Sequence, residues 1–321
     1  MNRRLILALS LALAFAVPLS LLAGRVWIAP FSPMTGNAAL ILMELRLPRA
    51  VLALVVGAGL GISGAAMQGY LRNPLADPGL FGIAPGAALG AVLSFWTGYA
   101  ASVWLLPVFA LAGAAGAMAL LALVAGRQAG VALFAMAGLM ISSLAGALTS
   151  LAISLSPTPF AMGEIVTWLM GALTDRSWRE VLIAAPLTAA GMALLLTAGR
   201  GLDALTLGEA AARSLGVEPR RQQALMIAGV GLTVGAGVAV AGIIGFVGLI
   251  VPHLVRPLTD RRPSSVLMPS ALAGALLLLV ADAGCRILPL AGGELRLGIA
   301  LSLLGAPFFL GLLLRMRRGL A

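Results

Sequence analysis

Apolar and charged positions in this chain separate on a scale far longer than a helical turn or a strand pleat. Uncharged, largely apolar stretches run over 5–24, 50–71, 78–126, 128–163, 181–199, 222–255, 263–281 and 297–314. A helix that crosses a bilayer needs about 20 consecutive apolar residues. The stretch 78–126 therefore predicts two helices with a turn near 97–102. The stretch 222–255 is too long for one span and short for two, so it predicts one full helix and a short, Gly-broken helix after Gly242. Taking the other stretches as one span each, the pattern predicts an all-α, polytopic membrane protein of ten transmembrane helices. It forms one transmembrane domain over 1–321, with an inner-side segment at 200–221 inside it. Arg3 and Arg4 followed by an apolar run resemble a signal peptide, but the run is longer than the usual apolar core and no small-residue cleavage site follows. It is read as a retained first span.

Composition narrows the class. Of 321 residues 61% are apolar and 10% charged, against about 45–50% and about 25% in soluble domains. Disordered, collagenous and disulfide-rich classes are excluded. All 21 basic residues are Arg. Without Lys the chain has neither a standard phosphate-binding P-loop nor a Schiff-base nucleophile. One His and one Cys form neither a His/Cys metal cluster nor an internal disulfide. No catalytic constellation, metal site or bound cofactor is expected, and the net charge of +10 reads as positive-inside bias rather than nucleic-acid binding.

Charge also fixes an orientation. Arginines open the chain (Arg3, Arg4) and close it (Arg315, Arg317, Arg318), so an even span number puts both termini in the cytoplasm. Ten spans then place 14 of the 21 Arg inside, while Arg25, Arg46, Arg49, Arg176, Arg179, Arg286 and Arg296 fall outside. Trp27, Trp96, Trp104, Trp168 and Trp178 all fall at outer span ends or outer loops, where an amphipathic ring belongs. Glycines spaced for close helix contact stud the spans, among them Gly57, Gly61 and Gly64, and Gly82, Gly86 and Gly90.

Three connections carry information. The inner loop Arg72-Asn73-Pro74-Leu75-Ala76-Asp77-Pro78-Gly79 is made non-helical by its prolines and reads as a rigid reversal or an inner constriction. In 200–221, positions 210–215 read as a short helix, with Glu209 at its positive end and Gly216 as its stop. Leu205, Leu207, Ala211 and Leu215 would form an apolar face for a soluble partner or for lipid headgroups. The third connection, from Gly242 through His253 to Pro257, holds the only His, in a short helix that Pro252 kinks. Carboxylates buried in a bilayer are costly and mark ion pathways. Only Glu164 and Asp282 come close, and both are expected near the outer surface, so the energy for transport should arrive from elsewhere.

The motifs Leu45-Arg46-Leu47-Pro48-Arg49, Ser63-Gly64-Ala65-Ala66-Met67-Gln68 and the 72–79 loop resemble the FecCD-type permeases of ABC importers, which carry iron–siderophores, haem and vitamin B12. So do Leu207-Gly208-Glu209 with Ala212-Arg213-Ser214-Leu215-Gly216, Gly245-Phe246-Val247-Gly248-Leu249-Ile250-Val251-Pro252-His253, and Leu304-Gly305-Ala306-Pro307-Phe308. The resemblance runs through nearly the whole chain in order. It implies a permease in the bacterial inner membrane, paired with a second copy or a related permease. Two ATPase subunits holding ATP and Mg would dock inside and a substrate-binding protein outside. It implies coupling through Leu205, Leu207, Gly208, Glu209, Ala211, Arg213, Ser214, Leu215 and Gly216, with Glu209 and Arg213 at the ATPase contact. It implies docking of the binding protein through Arg46, Arg49 and Arg286, and an inner gate at Asn73 and Leu75 opposite Gly130 and Val131. It also implies that spans 2–5 and 7–10 are related by inverted topology. The competing readings are an ion-coupled secondary transporter and a membrane-embedded enzyme, and the missing intramembrane carboxylates and reactive groups weigh against them.

Overall fold

The computed structural model describes residues 3–24, 39–99, 102, 104–126, 130–156, 158–288 and 293–318. Trp27, Arg25 and Arg127 lie outside them. Among the described residues the regular elements are all helices, without a strand. In chain order the helices are α1 (Arg3–Leu22), α2 (Ile41–Tyr70, its first six residues a π-turn), α3 (Ile83–Trp96), α4 (Leu105–Ala125), α5 (Val131–Ser154) and α6 (Pro159–Leu169). They continue with α7 (Trp178–Thr197), α8 (Gly199–Leu205), α9 (Glu209–Ser214), α10 (Pro219–Ala241), α11 (Val247–Val255), α12 (Pro263–Ile287) and α13 (Leu297–Arg318). Among the described residues seven helices are long and apolar enough to cross a membrane: α1, α2, α4, α5, α7, α10 and α12. Three shorter apolar helices cover Ile83–Trp96, Val247–Leu258 and Leu297–Leu312.

The sequence pattern is met in most places. The stretch 78–126 is two helices, and 222–255 is a full helix followed by a short one. Two expectations need correction. The uncharged stretch 128–163 holds its one span as α5 but is not one continuous helix: α5 ends at Ser154 and α6 starts afresh at Pro159. Proline is preorganised for a first helical turn and lacks the N–H that would be orphaned there. Thr158 caps the new start by accepting from the Ala161 N–H at 3.1 Å. And α2 reaches back past Arg49 to Ile41 instead of starting at Ala50, because Arg49 is neutralised inside the bundle.

Helix α2 is the central post. Of its apolar window 78% is buried, against 6% for α1 at the periphery. It packs antiparallel on α12 through backbone contact at glycine: Gly57 against Gly274, and Gly61 against Ser270. Gly64 lies on the Gly248 carbonyl of α11. Lipid offers no hydrophobic drive between helices, so such close approach supplies the packing energy. Helices α3 and α4 meet the same way at Gly86/Gly113 and Gly90/Phe109, and α7 and α10 at Gly191/Gly229.

Both short inner helices begin at a backbone break. Gly82 precedes α3 at φ +78° and Phe246 precedes α11 at φ +66°. The breaks are neighbours, since a Cβ on Gly248 would sit 2.7 Å from Pro78 Cδ. Non-helical backbone inside a helical membrane protein is tolerated where protein buries it.

Candidate functional site: the connecting segment and the two ends of the bundle

The segment after α7 folds as two short helices. Helix α9 starts after Gly208, whose φ of +100° excludes a side chain without strain. It stops in a Schellman motif: the Gly216 N–H donates to Arg213 O at 2.9 Å and the Val217 N–H to Ala212 O at 3.0 Å, with Gly216 at φ +83°. The expected helix with its Gly216 stop is present. Of the expected apolar face, Leu207 and Leu215 are 68% and 64% exposed, and only Leu205 departs from it, being buried against the bundle like Ala212. The outward surface is therefore Leu207, Leu215, Arg213 and Ser214, with Ala211 half-buried beside them. Leu205 points inward because α8 lies directly on the bundle and Leu202 and Leu205 are the residues that seat it.

Two carboxylates fasten this segment to the helices behind it. Glu209 Oε1 accepts from the Val131 N–H at 3.1 Å and so caps α5. Its second oxygen lies 3.8 Å from Arg213 one turn on. Asp203 of α8 accepts from the Ser264 N–H at 2.8 Å and from Ser264 Oγ at 2.5 Å, in the first turn of α12. A carboxylate at a helix N-terminus satisfies orphan donors and meets the positive end of the dipole. Both short helices are thereby tied to the starts of α5 and α12. The Glu209 carboxylate is directed at α5, whereas Arg213 is exposed. Asp203 was not foreseen; an acid two residues before the end of a short helix carries no signal of a distant cap.

The loop after α2 is built as its two prolines require. Asn73 Oδ1 accepts from the Leu75 N–H at 2.9 Å, and Asp77 Oδ1 from the Gly79 N–H at 2.8 Å. A cleft of about 410 Å³ brings Asn73, Gly130, Val131 and Glu209 together. Leu75 does not line it. Asn73 of the first loop and Gly130 and Val131 at the start of α5 thus share one cleft with the α9 carboxylate.

At the opposite end of α2 lies an arginine cluster. Arg49 Nη2 is 2.9 Å from Asp282 Oδ1, its Nε donates to the same carboxylate at 3.0 Å, and its Nη1 is 2.8 Å from Glu294 Oε2. Arg286 Nε lies 3.2 Å from Asp282 Oδ2 without hydrogen-bond geometry, and its Nη2 donates to Ser20 Oγ at 2.8 Å. Arg46 Nη1 donates to the carbonyls of Leu21 and Leu22 at 2.8 and 2.9 Å, at the end of α1. Asp282 is fully buried, Arg286 4% exposed and Arg49 9%. Asp282, expected near the outer membrane face, is thus closed off from solvent inside the bundle end that carries Arg46 and Arg49. A buried carboxylate is tolerated there because two guanidinium groups compensate it. The cluster also ties the end of α1 to α2 and α12. Among the described residues no group of His, Cys, Asp or Glu could hold a metal ion.

A bundle of apolar helices with broken inner helices and an outlying helix pair tied to it by carboxylates has the build of a membrane permease. The sequence pattern of the FecCD transport family matches residues 5–315, and the chain belongs to that family. Among curated relatives, the vitamin B12 import system permease protein BtuC of Salmonella typhimurium is 38% identical over 99% of this chain and 97% of its own length. The BtuC of Salmonella arizonae is also 38% identical, over 99% and 96%. A solved structure of an inward-facing conformation, from a transporter assigned to the metal-chelate ABC type, superposes with a TM-score of 0.90. It is 32% identical and covers 97% of this chain and 99% of that one. The PsaBC structure from Streptococcus pneumoniae, in complex with Fab, shares the fold at a TM-score of 0.55 and 19% identity, over 82% and 88%. The relatives are permease subunits, components of transporters rather than enzymes.

Proposed function

We propose that this chain is the membrane-spanning subunit of an ATP-driven importer that moves an iron chelate (ferric siderophore or haem) or cobalamin into the cytoplasm by alternating access. The observation that carries the reading is the double carboxylate fastening of α8–α9 to the starts of α5 and α12. A transporter energised through its own ion sites has no use for an exposed helix pair levering two spans. A subunit driven by a soluble neighbour needs one. The relatives' roles in vitamin B12 and metal-chelate transport point to the cargo class.

In this reading the seven long and three short apolar helices make ten spans, with both termini cytoplasmic, in a bacterial inner membrane. Two ATPase subunits, carrying ATP and Mg, press on Leu207, Arg213, Ser214 and Leu215. Glu209 passes the movement to α5, where Gly130 and Val131 close on Asn73. A second copy, or a related permease, completes the pathway, and a substrate-binding protein docks at the end that carries Arg46, Arg49 and Arg286. Arg49 and Arg286 are buried and held by Asp282 and Glu294, so they shape that end from within, and Arg46 is the half-buried member of the three. An ion-coupled carrier gains no support from Asp282, whose charge is held between two arginines.

The test is reconstitution in vesicles with the ATPase and binding-protein subunits. Cargo uptake should require ATP and survive collapse of the proton gradient. Uphill uptake by this chain alone would overturn the proposal.

A further inference from the structure

Beside the arginine cluster opens a second feature, a cleft of about 620 Å³ under α6. Its volume is in the range of small-molecule sites. One wall is aromatic: Phe95, Phe160 and Trp168 line it, and Phe95 and Trp168 meet edge to face at 6.3 Å. Arg176 and Arg296 line it as well. No carboxylate of the described residues comes within ion-pair distance of either arginine, although Glu164 and Asp175 stand exposed in the same lining. Trp168 Nε1 and Arg176 Nε are buried donors without an acceptor. Buried donors are nearly always satisfied, and these two have no acceptor within hydrogen-bond distance although Glu164, Thr167 and Asp175 share the lining. Burial lowers the Arg176 pKa, Glu180 and Asp175 raise it in part, and Arg296 lowers it further. Thr174, also in the lining, sits 3.5 Å from Glu294, so the cleft adjoins the end of the bundle that carries Arg49.

Aromatic walls, two unpaired guanidinium groups and two unsatisfied N–H donors ask for a ligand with a flat or apolar body and acceptor oxygens. We propose that this cleft is a cargo-receiving site selective for anionic chelates, with Arg176 and Arg296 meeting a carboxylate or phosphate of the cargo and the rings of Phe95, Phe160 and Trp168 packing on its body. The inference rests on the transport reading and narrows it, from chelates in general to those that carry negative charge. Arginine is suited to the role because its planar fork pairs with two oxygens of one anion. Glu164 and Asp175 set the direction of approach, since an anion entering on their side is repelled.

The test compares ligands that differ in charge. The full chain in lipid nanodiscs is titrated with haem and with its dimethyl ester, and separately with ferric citrate and a neutral ferric trihydroxamate. Binding is followed by quenching of tryptophan emission. The expected result is that the anionic member of at least one pair binds tenfold or more tightly than its neutral counterpart. That preference should vanish in Arg176→Met and in Arg296→Ser, with the neutral member's binding unchanged, and rise in Glu164→Gln. No preference in either pair, a preference that survives Arg176→Met, or equal loss of charged and neutral ligands would overturn the proposal. The measurement involves neither ATP nor a partner subunit, so a failed uptake assay and a failed charge preference are separate results.

Discussion

Arg49 on α2 and Asp282 on α12 stand 233 positions apart in the chain, yet their side chains meet with Nη2 2.9 Å from Oδ1, inside the packed helix pair. Breaking a buried pair from one side leaves a charge without compensation and costs about 3–5 kcal/mol. Asp282→Ala should therefore lower the thermal midpoint of the purified protein sharply, because it leaves the buried Arg286 without a carboxylate and Arg49 with Glu294 alone. Arg49→Met should cost less, since Arg286 still faces Asp282. In the double variant Arg49→Met, Asp282→Leu, stability should recover part of the single losses. Purely additive losses in that cycle would show that the pair is not energetically coupled.

The Glu209 cap makes a second, sharper prediction. Glu209→Gln keeps an acceptor oxygen for the Val131 N–H, whereas Glu209→Ala removes it, and loss of a helix cap costs about 0.5–2 kcal/mol. In the assembled transporter, Glu209→Ala should reduce cargo-stimulated ATP hydrolysis severalfold while the ATPase still binds. Glu209→Gln should retain most of it. Glu209→Arg, which turns the α5 cap into a repulsion, should disrupt assembly or coupling. If Ala and Gln behaved alike in the stimulated assay, the cap would not be the transmitting contact.

These two contacts mark the boundary of what the linear pattern reveals. The helices α10 and α11 are legible because Gly242 and Pro252 interrupt an apolar run at a length no single span fits, and the α9 stop is legible because Gly216 closes a helix locally. Such signals act within a few residues. The direction of the Glu209 carboxylate, the capping of α12 by Asp203 and the burial of Asp282 each depend on a partner far along the chain, and no local periodicity encodes them. The break before α6 was hidden for a different reason. It lies within an uncharged stretch, where charge cannot mark a helix end and only Thr158 and Pro159 do. Leu205 was assigned to the wrong face because a seven-residue helix has too few turns for its pattern to define an inner side.

Close backbone approach makes Gly64 intolerant. A Cβ there would overlap the Gly248 carbonyl, which belongs to backbone and cannot swing aside. Overpacking of this kind costs about 1–3 kcal/mol, here concentrated where α11 packs on α2. Gly64→Ala should lower the yield of folded protein and its thermal midpoint. Gly116→Ala, at a position where a Cβ meets nothing within 4 Å, should leave both unchanged. Equal behaviour of the two variants would refute the packing argument.

The last prediction concerns pH. Asp77 caps the turn before α3 through Gly79, and its residue lines a small cavity of about 60 Å³ with Val56, Leu60, Val234 and Val238. Burial pushes its carboxyl pKa up, offset in part by the Gly79 hydrogen bond. The folded protein therefore binds this proton more tightly than the unfolded chain, whose Asp titrates near about 3.9. In the window between the two pKa values, stability falls as pH rises, and above the folded value the charged form is a constant penalty. Asp77→Asn keeps an acceptor for Gly79 and removes the charge. It should match or exceed the parent's thermal midpoint at neutral pH and lose the pH dependence in that window. Asp77→Ala should fall below both, because the Gly79 N–H is then unpaired. Thermal unfolding of the three proteins in detergent, from mildly acidic to neutral pH, checks the sign: a parent that gains stability with rising pH, relative to Asp77→Asn, would contradict it.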